Sequence, residues 1–383
     1  MKKIYKQKGV VAIFVVIFAA LLMTVVTVSF IRITVQNQQQ SSATDLSQSA
    51  YDSAQAGVED AKRAILYYKK VCADGSSPLC NEIASGIKNS ETCNAAVATL
   101  EDVKAEMISG NGAEVRVQNG TKDNKLDQAY TCVKVTLNTS DFTGDLGVDG
   151  SKTIPLRGIS MFDEIQIEWF DLNDAARSIK LLYNTPSSPL FAQNTWQVTK
   201  NMPPIMRTQL IQFDGTVGFN LKDFDDSAIG SNTNTLFLYP IGKGIDKRSF
   251  SLDGRRTTTG SPTQIECSDN FNAVDYSCKA ILSLPFPAGG DASTPRVAYL
   301  RLTSLYNKTS YRIKLKNSTG GEVKFDGVQP SIDSTGRAND YFRRVRAKVE
   351  LVSDDYDAAV YTSSKFCKDF MVTDTDNYSK CSP

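Results

Sequence analysis

The stretch Val10–Ile31 limits what this chain can become more than any other. Its 22 residues are apolar except for Thr24, Thr27 and Ser29, close to the ~20 residues a helix needs to cross a hydrocarbon core. No proline follows before Pro78, and the first glycine after Gly9 is Gly57. One helix of about 60 residues, roughly 90 Å long at 1.5 Å per residue, is therefore expected from Val10 to about Lys70. Lys2, Lys3, Lys6 and Lys8 precede the apolar run, and the first charges beyond it are Arg32 and Asp45. That asymmetry keeps the N-terminus cytoplasmic and exports the remainder. A cleavable secretory signal has a shorter apolar core and a small-x-small site, whereas this run leads into Ser29-Phe30-Ile31-Arg32. Taken by itself, the run fits an uncleaved signal anchor.

The second half of the helix is patterned differently. From Leu46 to Tyr68, the residues Leu46, Ala50, Ala54, Val58, Ala61 and Ile65 recur at spacings of three and four and form one stripe. The stripe is mostly small, so a sheet can approach it closely. Gly57 costs up to about 1 kcal/mol relative to alanine in a helix, which points to a packing reason for it. Glu59 and Arg63, at i and i+4, are expected to pair on the outer side.

Beyond the helix, 72–90 reads as irregular and Glu91–Met107 as a shorter helix. Strand alternation then marks Thr131–Leu137 and Glu164–Trp169, separated by a glycine- and aspartate-rich loop at Asp141–Ser151. Further strands are expected at Arg207–Phe213, Thr235–Tyr239 and Cys278–Leu284. Val297–Leu302 and Tyr311–Leu315 are expected to pair across Asn307-Lys308. In Arg344–Leu351, Val345, Ala347, Val349 and Leu351 should face inward. The expected fold class is α+β: a long N-terminal helix packed on an antiparallel sheet, followed by further β-rich, sandwich-like structure. The divisions read from the sequence are a leader at 1–9, a transmembrane part at 10–33 and an exported amphipathic half at 34–70. A head at 71–171 and a β-rich region at 172–383 follow, with a linker at 285–295.

Composition narrows the chemistry. The 383 residues carry a net charge of +1 and no histidine, so the ordinary Ser-His-Asp and Cys-His constellations are excluded and no enzyme activity is expected. The eight cysteines are Cys72, Cys80, Cys93, Cys132, Cys267, Cys278, Cys367 and Cys381, none in a C-x-x-C pair. Behind an export segment they point to disulfides rather than zinc. Cys267 with Cys278 and Cys367 with Cys381 bracket short loops, and the first four would pair among themselves in an order that spacing leaves open. No cofactor is expected beyond structural calcium, for which Asp374, Asp376 and Asn377 offer oxygen ligands within four residues. Arg344, Arg346 and Lys348 share a strand face, but nucleic acid is not an expected partner at this net charge.

Lys8-Gly9, followed at once by an apolar helix, resembles a type IV prepilin. The resemblance implies cleavage by a prepilin peptidase between Gly9 and Val10. The first mature residue would be Val10, where that family usually has phenylalanine, and the fifth would be Phe14, where major subunits have glutamate. That glutamate neutralises the N-terminal ammonium of a neighbouring subunit, and a buried charge persists only with such a partner; Phe14 therefore suits a subunit at or near a filament tip. The stretch Ala50-Tyr51-Asp52-Ser53-Ala54-Gln55-Ala56-Gly57-Val58-Glu59-Asp60-Ala61 resembles the A-x-x-A-A-E-A-G-x-x-D-A signature of PilX-like minor pilins, with Gln55 replacing the glutamate. Ile332–Arg344 resembles C-terminal pieces of large PilX-like proteins, and the Cys367–Cys381 region resembles the disulfide-bounded loop that pilins expose for partner contact.

The resemblance implies a minor pilin-like subunit whose partners are other pilin subunits and the pilus assembly machinery. It implies a membrane stage through residues 10–33 and a head displayed outside to a host or neighbouring cell surface. A pseudopilin of a type II secretion-like system, or a single-pass membrane-anchored adhesin, would share the helix.

Overall fold

The computed structural model describes residues 9–72, 78–88, 92–108, 114–117, 127–175, 178–183, 189–216, 235–242, 249–250, 262–271, 274–290 and 296–351. The chain divides into two units, one of residues 1–135 and 332–347, the other of 136–331 and 348–383.

The first unit is built on α1 (Gly9–Val71), an unbroken helix of 63 residues with Lys69 and Lys70 in its last turn, where cations favour the negative end of the helix dipole. After it come α2 (Pro78–Lys88), a 3₁₀ turn (Val97–Thr99) and α3 (Glu101–Ala105). Strands β1 (Val115–Arg116) and β2 (Ala129–Thr136) follow. The chain re-enters this unit through β14 (Ser331–Ala338) and β15 (Tyr341–Lys348), and the four strands form a sheet in the order β1-β2-β14-β15.

Two expectations need correcting here. Residues 78–88 are not irregular: Pro78 occupies a first-turn position that proline suits, and Ile83 and Ile87 bury one face. The helix expected over Glu91–Met107 is interrupted, because Asn94 adopts φ 62° and is held as a partner of β2. Its backbone amide donates to the Val133 carbonyl (2.8 Å), and its Oδ1 accepts the Val133 amide (2.8 Å).

The second unit is a sandwich of two sheets. Its strands are β3 (Phe142–Leu146), β4 (Ser151–Leu156), β5 (Phe162–Asp171), β6 (Ile205–Asp214), β7 (Thr235–Ile241) and β8 (Ser249–Phe250). They continue with β9 (Thr263–Glu266), β10 (Tyr276–Ala288), β11 (Arg296–Leu305), β12 (Thr309–Lys316) and β13 (Glu322–Val323). One sheet runs β13-β12-β5-β10-β8, with β3 also on β12, and the other β4-β11-β6-β7-β9. Ile165, Ile167, Trp169, Leu282 and Ile313 from the first meet Met206, Leu210, Leu238, Leu300 and Leu302 from the second in one buried core, as alternating inward faces require. The fold class is thus α+β, with a long helix, antiparallel sheets and a β-rich remainder.

Four further expectations change. The loop placed at Asp141–Ser151 contains β3, whose Phe142 and Leu146 are buried. Gly144 lies in this strand because Tyr311 stands over it: a Cβ there would be 2.7 Å from the phenol oxygen. Strands β11 and β12 do not pair across Asn307-Lys308. Tyr306, at φ 73°, turns the chain from one sheet into the other, and the buried Asn307 amide fixes the corner by donating to the Met202 carbonyl (3.0 Å). The segment 285–295 is not a linker throughout, since β10 continues to Ala288. Nor does a unit end at 171–172: β5 is the centre of its sheet, between β10 and β12, and β14 and β15 belong with the N-terminal helix.

Candidate assembly helix and its seat

The two halves of α1 are chemically distinct surfaces. From Ile13 to Val35 the large apolar side chains are exposed, with Phe14 at 69% and Val35 at 47%. This stretch is long and apolar enough to cross a membrane. The three polar side chains of the apolar run are satisfied within the helix. Thr24 donates to the Leu21 carbonyl (2.8 Å), Thr27 to Met23 (2.7 Å) and Ser29 to Val25 (2.8 Å). Such back-bonding leaves no hydroxyl demanding water at membrane depth.

From Ala50 the helix is seated. Ala50, Ala54, Ala61 and Ile65 have no exposed surface, and Val58 is buried; Leu46 is half-buried. The stripe read from the sequence is the packed face, joined by Ser53, Gly57 and Ala64. Its close approach is two-sided. A Cβ on Gly57 would stand 2.5 Å from Ser334 Oγ and 2.7 Å from Val133 Cγ2, and a Cβ on Gly336 of β14 would strike the backbone of Ala50 and Ala54. Ser334 Oγ, at this contact, is buried and has no hydrogen-bond partner among the described residues.

A polar clamp fixes the end of the seat. The buried Tyr130 of β2 donates its phenol hydrogen to Asp60 (2.9 Å). Arg63 pairs with Asp60 (2.9 Å) and with Asp102 at α3. Burial, and then the neighbouring Asp60 carboxylate, push the Tyr130 phenol far above its ordinary value, so it stays a donor at every physiological pH. The expected Glu59–Arg63 pair is replaced: Glu59 reaches Lys62 (3.7 Å), because Arg63 has two closer carboxylates.

On the opposite face of the sheet, Asp333 accepts from Arg344 through both carboxylate oxygens and from Arg346 (3.1 Å). Arg344, and after it Arg346, hold the Asp333 carboxyl below its usual range. The basic run on β15 is therefore an ion-paired surface. Val345 and Ala347 are half-buried between exposed neighbours, as the alternation predicted, but β15 ends at Lys348, so Val349 and Leu351 lie beyond the strand. Arg337 lies between Glu114 (2.8 Å) and Asp127 (2.6 Å).

Among the described residues three disulfides are formed: Cys72–Cys80, Cys93–Cys132 and Cys267–Cys278. The described helix starts at Gly9, and the backbone is helical at Val10. Cys367, Cys381, Asp374, Asp376 and Asn377 lie outside the described residues. Sequence reasoning missed Ser334, Gly336, Tyr130 and Asp102, all remote in sequence from the helix they secure. Gly336, in step with the buried Ile332, Ser334 and Ala338 along β14, is the one that carried a local signal.

No family model matches this chain, and no curated protein matches it. The fold itself defines a class: an α+β protein with one N-terminal helix long and apolar enough to cross a membrane. Its disulfides are those of an oxidising compartment.

Proposed function

We propose that the protein is a minor pilin-like structural subunit of a type IV pilus-type filament, placed at or near the tip. The observation that carries this reading is the division of labour along α1. One uninterrupted helix is apolar and exposed up to Val35, and seated by alanine and glycine from Ala50 onward. Solvated water is a poor neighbour for that first half, since each fully exposed Leu, Ile or Phe forgoes about 1.5–3 kcal/mol of burial. Lipid covers it before assembly, with the N-terminus cytoplasmic. The helices of neighbouring subunits cover it in the filament.

Phe14 in place of a carboxylate suits a subunit that accepts no neighbour's ammonium. The β-rich region would be displayed on the extracellular side for assembly or for attachment to a surface. No catalytic step is assigned.

The test is the mature N-terminus together with location. Intact-mass measurement of protein sheared from cells should give a chain starting at Val10, and Gly9→Arg should keep the uncleaved form in the membrane. A wild-type chain that retains residues 1–9 and stays in the membrane would instead be a single-pass anchored adhesin. A processed chain confined to the periplasm-facing membrane fraction would be a pseudopilin.

A further inference from the structure

The second unit contains a cleft of about 540 Å³, within the roughly 300–1,000 Å³ of small-molecule sites. We propose that this cleft binds a neutral saccharide of one or two rings.

Its floor is the outer face of the β12-β5-β10 sheet, where Glu168 of β5 lies in register between Lys279 of β10 and Arg312 of β12. Arg312 donates to Glu168 (2.6 Å) and to Asp275 at the rim (3.1 Å). Its guanidinium lies 4.8 Å from the centre of the Tyr276 ring. The Lys279 ammonium makes no ion pair or hydrogen bond among the described residues, so it is available to a ligand. One wall is made by Ser268, Asp269, Val274 and Asp275, between β9 and β10, beside the Cys267–Cys278 disulfide. It is pinned again by the Ser268 amide on the Ser277 carbonyl and the Ser277 hydroxyl on the Ser268 carbonyl, both 2.7 Å. The other wall is Tyr183, half exposed, whose phenol donates to Asp269 (2.7 Å). Its ring lies flat where a Cβ on Gly242 would overlap it. Both walls are thus held before any ligand arrives, which lowers the ordering cost of binding.

The polarity of the lining selects the ligand. An anion would face Asp269, Asp275, Glu168 and Glu266; an organic cation would face Lys279 and Arg312. Among the described residues no cluster of three acidic or cysteine ligands could hold a metal ion. A sugar hydroxyl both donates and accepts, so it can use lysine and arginine hydrogens and carboxylate oxygens in turn. The apolar face of a pyranose matches the open Tyr183 ring. The proposal concerns the second unit alone and stands whether or not the chain enters a filament.

The experiment uses the full chain in a detergent without a sugar headgroup, titrated with glucose, galactose, mannose, N-acetylglucosamine, lactose, maltose and cellobiose. At least one should bind and slow reductive methylation of Lys279, read by mass spectrometry, while leaving Lys316 unaffected. Tyr183→Ala and Lys279→Gln should each weaken that binding about tenfold, the loss of one charged hydrogen bond or one stacking contact. Because the protection of Lys279 is read on wild-type protein, a variant that fails to fold does not blur the result. Absence of binding to every sugar, binding without protection of Lys279, or equal binding to both variants would overturn the assignment.

Discussion

Gly57 in the helix and Ser334 in β14 face each other so closely that a Cβ on the glycine would stand 2.5 Å from the serine hydroxyl. The contact joins residues 277 positions apart in sequence, and it sets the distance between helix and sheet. Its neighbour is the reverse pair, Gly336 in the strand against the backbone of Ala50 and Ala54 in the helix.

The two glycines should not respond alike to a methyl group. At Gly57 the obstructing atoms are side chains that can shift, and alanine also gains up to about 1 kcal/mol of helix propensity. Gly57→Ala should therefore lose only about 1 kcal/mol of stability after an overpacking cost of about 1–3. At Gly336 the obstruction is helix backbone, so Gly336→Ala should lose about 3 kcal/mol or more. Hydrogen exchange of β2 and β14 amides, which belong to the first unit, reports the order.

Ser334→Ala should go the other way. Its hydroxyl is buried without a partner among the described residues, and a group left so costs about 1–3 kcal/mol of desolvation. Removing it while keeping the volume near Gly57 open should slow exchange in β14, with a gain of about 1 kcal/mol. Faster exchange in the variant would mean that the hydroxyl has a role in the seat.

Acid should weaken the outer face of this sheet through Asp333. Arg344 and then Arg346 hold its folded carboxyl below the ordinary 3.8. A depressed folded value adds stability that is complete above the unfolded value and is lost as pH falls through the folded one. The difference in thermal midpoint between wild type and Asp333→Asn should thus be constant from pH 7 to about 5 and shrink below about pH 4. A difference independent of pH would contradict the sign.

Among the disulfides, removal of Cys93–Cys132 should matter most. It closes 39 residues of separation, against 8 for Cys72–Cys80 and 11 for Cys267–Cys278. In the chain-entropy model the longer loop adds about 1 kcal/mol over the shortest. Paired serine variants compared by guanidinium denaturation should lose most at Cys93–Cys132, then at Cys267–Cys278, then at Cys72–Cys80.

What could be read in the chain is local. The helix was legible because proline is absent, glycine is scarce and the stripe Ala50-Ala54-Val58-Ala61-Ile65 repeats at helical spacing. β2 and β5 were legible from alternation. Turn-like composition misled at Asp141–Ser151, because Gly144 is there for the Tyr311 ring rather than for a bend. A helical count misled at Glu91–Met107, because Asn94 is claimed by β2.

The sequence by itself determined that one long helix exists, that its first half is apolar on every side, and that its second half offers a small-residue face. Those properties depend on residues three or four apart on one helix. Only the tertiary structure decided which surface receives that face, since β14 and β15 come from the far end of the chain. The same is true of the cleft between Tyr183, Lys279 and Arg312, which three separate segments bring together. Contacts of that range leave no period in a single sequence. They are selected when sheets pair and bury their apolar sides.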